Sequence, residues 1–164
     1  MKKKIIITGG LGYIGTELCK LYSGVSWHHQ IIVIDNRFIS ERVNQIRNWN
    51  MESIQGDKKN KNLINEYFKD ADVVHHLAGV TDVPRTKSES SYKKKKKIIE
   101  VGEKGTQNIL NGISDKCKII FPSTHVVYEG IDEVKTDIKE DETTKPVLSY
   151  SSSKAINEEQ LKRS

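Results

Sequence analysis

Apolar residues fall in short blocks along the chain, and longer polar segments with helical spacing separate them. Ile5-Ile6-Ile7, Gln30-Ile31-Ile32-Val33-Ile34-Asp35, Met51–Gln55, Ala71–Gly79 and Lys116–Pro122 read as strands rich in β-branched residues. Between them, Thr16–Leu21, a short stretch inside Asn36–Asn50, Leu63-Ile64 with Tyr67-Phe68, Ile98–Gly112 and Tyr150 onward carry helix-compatible patterns. Strands alternating with helices predict an α/β fold, a parallel sheet wound with helices on both faces. Gly112 suits a helix end.

The first β-α-β unit carries the strongest chemical signal. Gly9, Gly12 and Gly15 follow the first strand and open the first helix. Gly9 is expected to turn the chain sharply, Gly12 to let backbone approach a pyrophosphate, and Gly15 to let the helix pack closely on the strand. The helix N-terminus then offers free N–H groups to phosphate. Asp35 ends the second strand 20 positions after Gly15, where a dinucleotide site places the carboxylate that binds the adenosine ribose. A carboxylate there repels a 2′-phosphate, so NAD is expected over NADP.

Length and charge narrow the classes. The chain has 164 residues, enough for one domain and too few for a nucleotide domain plus a full substrate domain. It contains no apolar stretch of membrane-spanning length and no secretory leader pattern, and Cys19 and Cys117 lack metal spacing, so a cytoplasmic protein with reduced cysteines is expected. His75 and His76 point to opposite faces of a strand and do not form a metal pair, and no metal is expected. The net charge is +5, concentrated in Lys2 to Lys4 and Lys93 to Lys97. No aromatic residues interleave with these lysines, so a solvated face is preferred to a nucleic-acid site. Thr81 to Ser91 reads as a polar loop with Pro84, and Glu129 to Val147 as a long acidic loop.

Tyr150 and Lys154 stand four apart at the start of the last helix and share one face. An ammonium beside a phenol favours phenolate and suits the tyrosine to general acid/base work. Thr124 is expected to end the fifth strand at the carboxyl edge of the sheet, its hydroxyl available to a substrate oxygen beside Tyr150.

Together these motifs resemble the extended short-chain dehydrogenase/reductases, the group containing NAD-dependent sugar-nucleotide epimerases and dehydratases. Thr8 to Gly15, including Tyr13 and Ile14, is similar to their nucleotide fingerprint, and Asp35-Asn36 to their ribose-binding pair. Gly56-Asp57 resembles the adenine-contacting turn, and His76-Leu77-Ala78-Gly79 the turn under the nicotinamide half. Gly105-Thr106 with Asn108-Ile109-Leu110 matches their central helix, and Ser123-Thr124 with Tyr150 and Lys154 their catalytic set. The resemblance implies a Rossmann fold over residues 1–164, truncated after the Tyr-x-x-x-Lys helix with the C-terminal substrate domain missing. It also implies NAD as cofactor, a UDP- or dTDP-sugar as substrate, and a homodimer through the helices matching Gly105–Gly112 and Tyr150–Leu161. Tyr150 is then the acid/base, Lys154 its activator and nicotinamide-ribose ligand, and Thr124 the ligand of the substrate hydroxyl.

The sequence departs from that family at Gly102, Glu103 and Lys58, where an asparagine, an apolar residue and an aliphatic adenine contact are usual. His125-Val126 replaces the Asp-Glu of 4,6-dehydratases, which favours epimerisation or simple oxidoreduction over dehydration. The alternative reading is a non-catalytic dinucleotide-binding module, or an inactive fragment of such an enzyme. Without a substrate domain, weak or no activity is expected of this chain alone.

Overall fold

Five runs form strands, β1 (Lys4–Thr8), β2 (Gln30–Asp35), β3 (Glu52–Gln55), β4 (Val73–His76) and β5 (Lys118–Ile120). In the computed structural model they make one parallel sheet in the order β3-β2-β1-β4-β5. Residues 1–80, 92–132 and 135–163 are described, without the side chains of 92–95. The polar loop expected over Thr81–Ser91 lies outside the described residues, as do Glu133 of the acidic stretch, Ser164 and the side chains of Lys93 to Lys95.

The chain divides into two compact units. The first comprises Met1–Ala78 with Asn108–Pro122 and contains the whole sheet. Period-two alternation sends the β-branched residues of each strand to both faces. Ile5, Ile7, Ile31 and Val33 pack with Cys19 of α1 (Tyr13–Ser23), with Val43 and Ile46 of α2 (Ser40–Asn48), and with Met51. Ile6, Ile32, Ile34 and Val74 pack on the other face, against Leu63 and Ile64 of α3 (Lys61–Tyr67), Phe68, and Ile109 from the last turn of α4 (Tyr92–Gly112). The sheet is therefore doubly wound, as the pattern predicts. Cys19 is fully buried, and burial pushes its thiol up to about 12, which makes it an inert packing residue.

The second unit comprises Gly79–Gln107 with Ser123–Ser164. It holds most of α4, a 3₁₀ turn at His125–Tyr128 and α5 (Ser149–Lys162). Among its described residues Ile98 and Val127 are buried, but most of the buried side chains are polar. Ser151, Ser153 and Asn157 of α5 are buried together with Thr106 of α4. A Cβ on Gly102 would lie 2.0 Å from Ser153 Oγ, so the departure at Gly102 is what brings α4 and α5 close. Asn157 Nδ2 donates to Gly102 O at 3.1 Å and also to Thr106 Oγ1.

Two local expectations change. β5 stops at Ile120, because Pro122 has no N–H to continue the ladder; Thr124 lies beyond the strand and caps the 3₁₀ turn. Gly112 does end α4, but Gly9 is the only described glycine with positive φ. A Cβ on Gly112 would meet Ile64 Cγ2 at 2.2 Å, so close packing, not a left-handed cap, requires glycine there.

Candidate functional site

The sheet order reverses between β1 and β4, and open α/β sheets bind ligands at the carboxyl ends of the strands at such a point. Gly9 leaves β1 with φ +69, and its N–H donates to Ile34 O at 2.7 Å. A Cβ there would sit 2.8 Å from the backbone of Ala78. A Cβ on Gly15 would reach Gly10 Cα and Gly9 O at 2.5 Å, so the helix start lies directly on the glycine turn. Gly10, unremarked in the sequence pattern, is equally constrained, with Val33 Cγ1 2.2 Å from its would-be Cβ. Gly12 is the N-cap of α1, which begins without a side-chain cap and without an acidic residue in its first turn. The first N–H groups, at Tyr13, Ile14 and Gly15, therefore remain for an outside acceptor. That opening fits a diphosphate.

The exit of β4 is tied to the same turn. Thr8 Oγ1 accepts from Ala78 N–H at 3.2 Å and pairs with His76 Nδ1 at 3.0 Å, while Leu77 N–H reaches Thr8 O at 3.2 Å. His75 turns to the opposite face, where its Nε2 meets Tyr22 Oη at 2.7 Å; burial pulls its imidazole below the usual range. The two histidines thus serve separate contacts. Among the described residues no group of three or more metal-ligating side chains occurs, and no helix is long and apolar enough to cross a membrane.

Asp35 is buried beside the turn, and its Oδ2 accepts Leu11 N–H at 3.1 Å. Asn36 is exposed. Asp57 follows β3 and accepts Lys59 N–H at 2.9 Å. Lys58 is buried, and its Nζ donates to Ala78 O at 2.9 Å. Sequence reading marks Lys58 as a departure but gives no sign of this contact, because the acceptor lies on another strand's exit.

In the second unit, Tyr150 lies in the first turn of α5 and Lys154 one turn on, both half-buried. Burial lowers the Lys154 ammonium below the usual lysine range, and Glu158 partly opposes this. Thr124 Oγ1 accepts Val126 N–H at 3.3 Å. Glu129 holds the start of α5. Its Oε1 accepts Val147 N–H at 2.8 Å and Leu148 N–H at 2.6 Å, and Ser151 Oγ donates to the same oxygen. In the sequence Glu129 is one of several acids in a loop, with nothing to single it out.

The model of the 3-beta hydroxysteroid dehydrogenase/isomerase family matches residues 6–164. The chain belongs to this family. Its members here are extended short-chain dehydrogenase/reductases, as the motifs imply. A UDP-N-acetyl-alpha-D-glucosaminuronate decarboxylase of Bacillus cytotoxicus is 34% identical over 130 residues, covering 78% of this chain and 38% of that protein. Among solved structures, the UDP-N-acetylglucosamine 4-epimerase of Methanobrevibacter ruminantium is 26% identical with a TM-score of 0.79, covering 99% of this chain and 51% of that one. The UDP-glucose 4-epimerase of Bifidobacterium longum, solved with NAD+ and UDP, shares the fold at 23% identity and a TM-score of 0.80, covering 98% and 48%. NAD is thus the cofactor seen in solved relatives. The chain spans about two fifths of the length of its first curated relatives.

Proposed function

We propose that this chain is the dinucleotide-binding part of an NAD-dependent epimerase or oxidoreductase acting on a nucleotide sugar. The observation that carries this reading is the turn between β1 and α1, whose glycines leave space that a Cβ would fill beside the buried carboxylate of Asp35. The N–H groups of Tyr13 to Gly15 hold the diphosphate. Asp35 and Asn36 accept the adenosine ribose, Asp57 faces the adenine, and the backbone of Leu77, Ala78 and Gly79 supports the nicotinamide half. When bound, NAD supplies the hydride acceptor. Thr124 holds the substrate hydroxyl, and Tyr150 Oη takes and returns its proton. Lys154 favours the phenolate and binds the nicotinamide ribose. The relatives named for UDP sugars support a nucleotide-sugar substrate.

The test is titration with NADH followed by fluorescence, then turnover of UDP- and dTDP-sugars with NAD by wild type and Tyr150→Phe. The expected result is NADH binding by both, with Tyr150→Phe reducing whatever weak turnover the chain shows by about 10²–10⁴-fold. Absence of NADH binding overturns the reading. Turnover untouched by Tyr150→Phe overturns the role of that residue, and NADH binding without turnover is the result expected both of a dinucleotide-binding part alone and of a non-catalytic module.

A further inference from the structure

Asp35 does not face the glycine turn alone. Its Oδ1 accepts Arg37 N–H at 3.0 Å, and Arg37 Nε stands 3.7 Å from the same oxygen. The Asp35 side chain is 5% exposed while that of Arg37 is 63% exposed. A second guanidinium comes from α2, where Arg42 Nη1 donates to Leu11 O, the residue whose N–H is bound by Asp35 Oδ2. Leu11 is thus held by the Asp35 carboxylate and the Arg42 guanidinium, the Arg37 guanidinium stands on the other oxygen of Asp35, and the balance of these three groups is positive.

In a site that rejects a 2′-phosphate, the carboxylate charge dominates the ribose end. Here each oxygen of Asp35 already accepts a backbone N–H, and a guanidinium shares its charge. An ion pair with one partner in solvent is weak. A guanidinium meeting a phosphate forms a stronger, two-pronged, charge-assisted pair. The exposed Arg37 side chain can rotate from Asp35 to a phosphate on the ribose while its backbone N–H keeps the carboxylate in place.

We propose that Arg37, backed by Arg42, makes the adenosine end of this cradle accept a 2′-phosphorylated dinucleotide as well as NAD. The inference rests on the reading of the cradle as an adenine-dinucleotide site. It makes Arg37 the residue that sets cofactor choice, against the preference expected from Asp35 alone.

Fluorescence titrations with NADH and NADPH, on wild type and Arg37→Gln, test it. The substitution is at an exposed side chain and spares the backbone donor to Asp35. The expected result is an NADPH dissociation constant within about ten-fold of that for NADH in wild type. Arg37→Gln then weakens NADPH by at least about ten-fold and NADH by less than about two-fold. Added salt is expected to weaken NADPH more than NADH. NADH binding without NADPH binding overturns this inference and leaves the cradle reading standing, as does an equal loss of both cofactors in Arg37→Gln. Binding of neither cofactor overturns both.

Discussion

Each of the two units of this chain has an interior of its own chemistry. In the sheet unit, Ile, Val, Leu and Phe side chains fill both faces, and the cradle is shaped by backbone contacts at Gly9, Gly10 and Gly15. In the unit carrying Tyr150 and Lys154, the described buried side chains are Ser151, Ser153, Asn157 and Thr106 beside only two large aliphatic ones, Ile98 and Val127. A single carboxylate, Glu129, holds the helix start that presents the pair. Apolar packing is non-directional and tolerates small shifts, whereas a buried polar contact costs its full desolvation when one partner is lost. The glycine turn should therefore fail through volume and backbone geometry, the presentation of Tyr150 and Lys154 through loss of single hydrogen bonds.

The largest effect expected is from the core of the sheet unit. Phe68 is fully buried, and Phe68→Ala is expected to cost about 3–5 kcal/mol in denaturant unfolding. A loss below that of any polar variant in the other unit would break the contrast. Gly9→Val combines the positive φ of +69 with a Cβ 2.8 Å from Ala78 backbone, so about 3 kcal/mol is expected together with loss of NADH binding. Retained NADH affinity would show that the turn can relax.

Asn157→Ala removes the buried amide that donates to Gly102 O and Thr106 Oγ1, and about 2 kcal/mol is expected. Glu129→Ala should cost about 1 kcal/mol, the scale of a lost helix cap, and speed hydrogen exchange at Val147 and Leu148 while sparing the sheet. Exchange rising equally in both units would mean that the two do not respond separately.

The smallest effect is a pH dependence. Burial lowers the His75 imidazole below its ordinary 6.5, so the unfolded chain takes up a proton first as the medium is acidified. Stability from this group is full above pH 6.5 and falls as pH drops below it. His75→Gln should flatten that part of the stability profile; an unchanged slope would assign it to another group.

The sheet, its helices and the glycine turn were legible because each rests on local pattern. Gly9, Gly12 and Gly15 announce themselves by spacing, and Asp35 by its distance from them. Gly10 does not, because its constraint is the side chain of Val33 on the next strand. The end of β5 was misread by a few residues because apolar character continues through Phe121 while Pro122 ends the ladder. The family model, the curated relatives and the solved folds bear out the family and the fold. The roles of Thr124, Tyr150 and Lys154 stay with the proposed mechanism.

By itself the sequence determined the parallel doubly wound sheet and the cradle, because strand alternation, helix period and the backbone freedom of glycine act within a few residues of one another. Tertiary structure alone decided which polar groups are buried and what each one holds. Lys58 finds Ala78 O, Asp35 finds Leu11 and Arg37, Asn157 finds Gly102 and Thr106, and Glu129 finds the start of α5. Most of these partners are distant in sequence, and a polar residue reads as solvent-facing until the fold brings its partner to it.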